Sequence, residues 1–153
     1  MEKLKTFGHV VRFTKEVDGE QINICMKSSV GLLGLYKSYF YTDIMSDITK
    51  MLKGISQQDM KDFAKIDPSK KIEDYTNEEI ETLLLIFERN TEIFDTSILV
   101  QIMVALILNA VPEEQRPAMP EALDVVPAQF LTDSEIITAA INLVIPFLGQ
   151  KKN

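Results

Sequence analysis

The sequence predicts a mainly α fold of the α+β class, a helical bundle of about five to six helices with an N-terminal β-hairpin. Three observations predict it: apolar and polar residues alternate around a turn signal in residues 9–27, apolar residues recur at helical spacing in residues 30–55, and residues 98–111 are almost continuously apolar. A chain of 153 residues, 46% apolar and 25% charged, fits one domain spanning residues 1–153. A domain of this size forms a core without a metal or a disulfide.

The hairpin is predicted over residues 9–27, where Asp18-Gly19 is a strong signal for a two-residue turn. Since a lone two-stranded hairpin is marginally stable in water, this one must pack on the helices or pair with a strand from another subunit. Its edge is therefore a place where self-association is expected. Alternation gives both strands one apolar face, formed by Val11, Phe13, Ile22, Ile24 and Met26.

The helical body is predicted over residues 29–149 and is organised around residues 30–55. The first half of that stretch is apolar almost all round and the second half is amphipathic, so both halves pack on a core. Ser28-Ser29 is expected to cap its N-terminus. A break in the helix is expected near Tyr41-Thr42.

A second helical region follows, in which Thr76 and Glu79 form a capping-box pattern. Residues 98–111, the most hydrophobic segment, are interpreted as the central buried helix. Several prolines make residues 111–131 an irregular linker with at most one helical turn, around Glu121.

The last helix is expected to begin with a second capping box, formed by Thr132 and Glu135. Pro146 is expected to kink its final turn, because proline cannot donate the helical hydrogen bond. Residues 150–153 are expected to fray.

Composition excludes several classes of function. A net charge of −7 and a pI near 4.8 work against nucleic-acid binding, which needs clustered Lys and Arg. The single Cys25 cannot form an internal disulfide, and a reducing cytosol suits the chain. His9 is the only histidine, which excludes a histidine-based triad or a multi-histidine metal site within one chain.

No catalytic residue, cofactor or metal-binding set is predicted, so the sequence indicates a protein that is not an enzyme. Asp43 and Asp47 share a helix face and could in principle do acid/base work or bind a cation. The structural interpretation is favoured, in which Asp43 complements the helix dipole and Asp47 pairs with Lys50. Gly31 and Gly34 have the GxxG spacing of a nucleic-acid loop but lack its basic neighbours, and close helix packing explains them.

One ordered pattern runs through the central stretch: Leu35-Tyr36-Lys37, Phe40, Asp43-Ile44 and Asp47. It resembles the pattern of tail assembly chaperones of long-tailed, siphovirus-type bacteriophages and prophages, in which a Tyr and a basic residue precede Phe-Gly-x-Asp and a second Asp. Here Tyr41 stands where the family usually has Gly, and the chain has no Trp. The resemblance also covers the order of elements, a strand region, this helical block, a long apolar helix and a C-terminal helix.

The resemblance implies a function and two partners. Such chaperones act in the host cytoplasm, bind the tape measure protein, keep it soluble, bring in the major tail protein and are absent from the mature virion. A homo-oligomer is predicted as well, because the chain has more apolar surface than one short bundle easily buries. Contacts with a partner or a second copy are predicted at Leu35, Tyr36, Tyr39, Phe40, Val11, Phe13, Ile22 and Ile24.

An alternative is a small helical regulatory or membrane-associated protein whose segment 98–111 engages a membrane. That segment is shorter than the ~20 apolar residues needed to cross a bilayer, so stable membrane insertion is not expected. Gene position separates the two hypotheses, because a tail chaperone gene should lie between those for the major tail protein and a very long helical protein. The resemblance also implies a short form and a longer form made by ribosomal slippage, and by the genetic code Lys151-Lys152-Asn153 can be encoded by a run that permits such slippage. An ordinary polar tail explains these residues equally well.

Overall fold

The computed structural model describes residues 4–52, 61–62, 74–89 and 96–149. Within these residues an antiparallel two-stranded hairpin is followed by five α-helices, which is the predicted α+β class. The elements are, in chain order, β1 (His9–Val17), β2 (Glu20–Ser28), α1 (Gly31–Phe40), α2 (Ile44–Leu52), α3 (Asn77–Arg89), α4 (Thr96–Asn109) and α5 (Ser134–Gly149). Short 3-10 helices lie between α4 and α5 at Glu113–Gln115, Glu121–Val125 and Ala128–Thr132.

The hairpin turns at Asp18-Gly19, as predicted. Both residues have positive φ, 52° and 84°, and Val17 pairs with Glu20 across the turn. Positive φ at both central positions defines the type I′ turn, whose twist matches that of the strands and which Asp-Gly favours. The apolar face packs on the helices, and its most buried residues are Val11, Ile24 and Met26.

A sharp break separates α1 from α2. Tyr41 adopts the left-handed conformation, with φ 60°, and its N–H donates to the carbonyl of Lys37 at 2.8 Å. Asp43 then caps α2, because its Oδ1 accepts the backbone N–H of Met45 at 2.8 Å. The break predicted near Tyr41-Thr42 and the position of Asp43 at a helix N-terminus are confirmed.

The expectation that Ser28-Ser29 caps α1 is wrong. The N-cap residue is Val30, and no side-chain hydrogen bond caps the helix. The Ser28 hydroxyl donates to the carbonyl of Leu143 in α5 at 2.8 Å, and the Ser29 hydroxyl accepts the Asn109 amide at 3.1 Å. Both serines therefore make tertiary contacts with other helices.

Helix α4 is the central buried helix, as predicted. It packs against β2, α1, α2, α5 and the 3-10 helix Glu121–Val125. The Asn109 amide at its end donates to the carbonyl of Lys27 at 2.9 Å, which fixes α4 against the hairpin. No helix among the described residues has both the length and the apolar character needed to cross a membrane. The buried residues of α4 are Ile98, Leu99, Ile102, Met103, Val104, Ala105, Leu106 and Leu108.

The linker between α4 and α5 is more ordered than the sequence indicates. The prediction of at most one helical turn, around Glu121, is wrong, because three 3-10 helices form there. Proline prevents a continuous α-helix but permits a short 3-10 turn after it, and the N–H of Phe130 donates to the carbonyl of Pro127 at 2.9 Å. Ala122 and Phe130 are both fully buried, so the linker contributes to the core.

Helix α5 is capped by Asp133, and the capping box predicted for Thr132 and Glu135 is wrong. The Asp133 Oδ1 accepts the backbone N–H of Glu135 at 3.0 Å and that of Ile136 at 3.2 Å. The Thr132 hydroxyl instead donates to a carbonyl of the preceding turn. The Glu135 carboxylate is held by Lys15, so it does not turn back to the helix N-terminus. The helix continues through Pro146 to Gly149.

Lys15 joins the hairpin to the start of α5. Its Nζ lies 3.2 Å from Asp133 Oδ2 and also bonds Glu135 Oε1. The hydrogen bond with Glu135, followed by the bond with Asp133 and the charges of both carboxylates, raises the pKa of the Lys15 ammonium against the opposing effect of burial. The ion pairs therefore fix the hairpin to the capped end of the helix.

The capping box predicted at the start of α3 is confirmed. The Thr76 N–H donates to Glu79 Oε1 at 2.9 Å, and the Glu79 N–H donates to Thr76 Oγ1 at 3.1 Å. The expected frayed tail, residues 150–153, lies outside the described residues.

Candidate interaction surface

The aromatic residues of the central stretch form one cluster at the end of α1. The Tyr36 and Phe40 rings meet edge to face, with centroids 5.0 Å apart and an interplanar angle of 61°. The ring centroids of Tyr39 and Phe40 are 6.2 Å apart, and the Tyr39 hydroxyl donates to the carbonyl of Pro117 at 2.7 Å. The four-residue spacing of Tyr36 and Phe40 places both rings on one helix face, which explains the contact. The cluster thus holds the linker against α1.

A buried polar network links α1, α2 and α4. The Tyr36 hydroxyl lies 2.8 Å from Asp47 Oδ2 and 2.9 Å from Gln101 Oε1, and Thr42 donates to the same Asp47 oxygen at 2.8 Å. Asp47 is only 5% exposed, so these donors satisfy a carboxyl group that has almost no access to water. The predicted pairing of Asp47 with Lys50 is wrong, because its carboxyl group faces Tyr36 and Thr42.

The predicted contact residues divide into two groups by burial. One group is buried in the chain's own core and stabilises the fold: Val11, Ile24, Leu35 and Tyr36. The other group packs against the core while remaining half-buried: Phe13, Ile22, Tyr39 and Phe40. The second group exposes more side-chain surface to a partner that docks on this conformation, and self-association remains a prediction.

A cleft of about 490 Å³ runs beside α1 and is bounded on the far side by the linker. Gly34 faces open space, because a Cβ atom added there meets nothing within 4 Å. The interpretation of Gly34 as a close-packing residue is therefore wrong, and at Gly31 a Cβ atom would meet neighbours only at ordinary contact distance, 3.6 Å. We call this feature the α1 cleft, and it is lined by Gly31, Gly34, Leu35, Ser38, Tyr39, Glu113 and Arg116.

Exposed apolar side chains lie next to α1 and to the linker segment that Tyr39 binds. Val30, 79% exposed, directly precedes Gly31, and Tyr41, 87% exposed, follows the other end of α1. Met119, 42% exposed, comes shortly after Pro117, whose carbonyl binds Tyr39. Exposed apolar side chains therefore stand next to both ends of the helix that lines the cleft, and exposed apolar surface of this kind is typical of an interaction site.

Arg116 places a positive charge on the rim of the α1 cleft and binds the linker to the end of α4. Its Nε donates to the carbonyls of Leu108 and Val111, both at 2.9 Å, at the end of α4. A cation there complements the negative end of the helix dipole. Glu113 lines the same rim, so the cleft presents one positive and one negative group.

The sequence indicated Gly31 and Gly34 by their spacing alone. It did not indicate Glu113 or Arg116, because only the folded linker places them beside α1. The described part of the chain contains no group of three or more His, Cys, Asp or Glu residues placed to hold a metal ion. Comparison with known proteins yields no matching family model, curated protein or solved structure.

Proposed function

We propose that this protein is a non-enzymatic assembly chaperone of the phage tail type. In this role it binds an apolar helix of the tape measure protein, keeps that protein soluble and helps to recruit the major tail protein. It acts in the host cytoplasm and leaves before the virion is mature. The observation that carries the proposal is the α1 cleft, which is lined in part by Gly31 and Gly34 of a helix that has exposed Val30 and Tyr41 next to its two ends.

The shape of the α1 cleft suits a helix. Helix α1 has ten residues and spans about 15 Å, which matches roughly three turns of a docked helix. Gly34 has no side chain to hold a partner backbone away, while Val30 and Tyr41 offer apolar contacts beyond each end. A net charge of −7 keeps a complex with an apolar partner in solution.

The helical body is the scaffold that this role requires. We infer that the described helices within residues 29–149 form a helical bundle around α4, since α1, α2 and α5 all pack against that helix. The competing hypothesis, a regulator that engages a membrane through residues 98–111, is less well supported. Eight residues of α4 are buried in the chain's own core, so the helix would have to leave that core to reach a bilayer.

The test fills the α1 cleft without disturbing the fold. Gly34→Leu adds a side chain in open space, so helix α1 should stay folded while the partner helix loses its site. Ser46→Leu is the matched control, because it adds the same side chain at an exposed position of α2. Each variant is co-expressed with the long helical protein encoded beside it, and the soluble fraction and the co-purified amount of that protein are measured.

We expect the wild type and Ser46→Leu to keep the partner soluble and Gly34→Leu to lose at least tenfold in co-purification. Circular dichroism spectra of all three should agree. If Gly34→Leu binds the partner as well as Ser46→Leu does, the α1 cleft is not the binding site. If no long helical protein is encoded nearby, the tail assembly role itself is rejected.

A further inference from the structure

Strand β1 has one edge that pairs with no other strand among the described residues. The two residues that flank a two-residue turn exchange both backbone hydrogen bonds. The backbone N–H and C=O groups of Val17, and of every second residue before it, therefore point toward β2. The backbone groups of the alternate residues face outward. We call this row the β1 edge, and it consists of Val10, Arg12, Thr14 and Glu16, all of which are exposed.

The outward direction of these groups is supported by one hydrogen bond. The Glu16 carbonyl accepts the side-chain amide of Gln129 at 2.9 Å, which it could not do if it faced β2. No backbone hydrogen bond outside the hairpin reaches the β1 edge from the described part of the chain. The opposite edge, on β2, is less accessible, because Cys25 is half-buried and the Lys27 carbonyl is bound by Asn109.

The charges on the β1 edge are arranged for pairing with themselves. Arg12 and Glu16 lie two residues before and after Thr14, on the same face, and neither forms an ion pair within the described residues. We propose that β1 pairs antiparallel with β1 of a second copy, with Thr14 opposite Thr14, to form a four-stranded sheet. Arg12 of each copy is then directly opposite Glu16 of the other, so one register makes two opposite-charge pairs.

The neighbouring registers are less favourable. Hydrogen-bonded pairs must join outward-facing residues, so the nearest alternatives are centred on Phe13 or Lys15, and the next are centred on Arg12 or Glu16. Centring on Arg12, Lys15 or Glu16 places that residue opposite the same charge in the second copy, which is destabilising. Centring on Phe13 places Arg12 opposite Thr14 and forms no charge pair. Charge complementarity therefore selects the register centred on Thr14.

The other face of the same pairing is also complementary. Val11 would lie opposite Val17 of the second copy, and Phe13 opposite Lys15, whose ammonium already lies 5.9 Å from its own Phe13 ring. Phe13 and Val17 are only partly buried in one chain, so pairing covers apolar surface. The Glu16 carbonyl has a second lone pair with which to accept the new bond. This inference is independent of the proposed chaperone role.

Charge reversal tests the register. Sedimentation equilibrium of the wild type should give twice the monomer mass of 17.4 kDa. Glu16→Arg places arginine opposite Arg12 at both ends of the interface and should raise the dimer dissociation constant at least tenfold. The double variant Arg12→Glu with Glu16→Arg restores both pairs and should restore dimerisation. Glu81→Arg makes the same charge change on exposed α3 and should leave the dissociation constant unchanged.

A second pair of variants tests the backbone hydrogen bonds. Thr14→Pro removes the central outward-facing N–H, which an edge strand tolerates, and should give a folded monomer. Thr14→Ala loses the same side-chain bond to Asn23 but keeps the N–H, and should remain a dimer. The proposal is overturned by a monomeric wild type, by a dimer that persists in Thr14→Pro, or by a double charge swap that fails to restore association.

Discussion

Removing one oxygen atom from Tyr36 should measurably destabilise the protein. Tyr36 is fully buried, and its hydroxyl donates to Asp47, which is 5% exposed and has Thr42 as its second donor. In Tyr36→Phe the ring still fills its place, so the change isolates the contacts of the hydroxyl group with Asp47 and Gln101. Leaving a buried polar group without one of its partners costs about 1–3 kcal/mol, and we expect about 2 kcal/mol here.

Urea denaturation followed by circular dichroism measures this loss. With a denaturant slope of about 2 kcal/mol per molar urea, the midpoint should fall by about 1 M. The thermal midpoint should fall by roughly 4–8 °C for a chain of this size. Tyr41→Phe is the matched control, because Tyr41 is 87% exposed and the same atom is lost to water, with an expected change within about 0.5 kcal/mol.

A double-mutant cycle with Thr42→Val separates the network from simple loss of packing. Each single variant leaves Asp47 Oδ2 with one donor and the double variant leaves it with none, so removing both should cost more than the sum of the single changes, by at least about 0.5 kcal/mol. Equal stability of Tyr36→Phe and Tyr41→Phe, or strict additivity in the cycle, would refute the assignment of Tyr36 and Thr42 as joint donors to a buried carboxyl group.

Three further predictions concern the linker, the ion pairs and the glycines. Phe130→Ala should cost about 3–5 kcal/mol in urea denaturation, because Phe130 is fully buried, and a loss under 1 kcal/mol would place it outside the core. The pKa of Lys15 in the folded protein is raised above its ordinary value of 10.5. The contribution of the charged Lys15 to the stability of the fold is therefore complete below pH 10.5 and is lost as the pH rises through the folded-state pKa. The melting temperature of the wild type should therefore fall toward that of Lys15→Met in this alkaline range. A difference in melting temperature between the two proteins that did not change with pH would contradict the prediction. Gly19→Ala should destabilise by about 1–2 kcal/mol because Gly19 has φ 84°, whereas Gly34→Ala should stabilise by about 0.5–1 kcal/mol; equal thermal shifts would contradict this.

The features that the sequence predicted correctly depend on residues close together in the chain. Asp18-Gly19 specifies its turn because both residues accept positive φ, and Thr76 with Glu79 specifies a helix start through two reciprocal hydrogen bonds. The continuous apolar run in α4 likewise predicts burial without further information. Each of these signals is complete within a few residues, so tertiary contacts had little opportunity to override it.

The wrong predictions share a different cause. At each of these sites the sequence permits more than one local arrangement, and contacts with distant residues decide which one forms. Both Thr132 and Asp133 can cap α5, and Lys15, 120 positions before Glu135, occupies the side chain that a capping box would use. Phe130 is buried by packing between the linker and the helices, while Pro120 and Pro127 interrupt the periodicity of the sequence before it. The α1 cleft has the same origin, because its rim exists only when the linker folds beside α1.

The two proposed surfaces lie on different elements, and this separation makes their roles independently testable. The α1 cleft is lined by residues of α1 and the linker, and none of them belongs to the β1 edge. A dimer formed through β1 would therefore leave both clefts with their full set of lining residues. Gly34→Leu should leave the dimer dissociation constant unchanged, and Glu16→Arg should leave the soluble amount of partner per chain unchanged. If one substitution abolished both activities, the chain would bind its partner only as a dimer, and the partner site would have to extend across the paired strands.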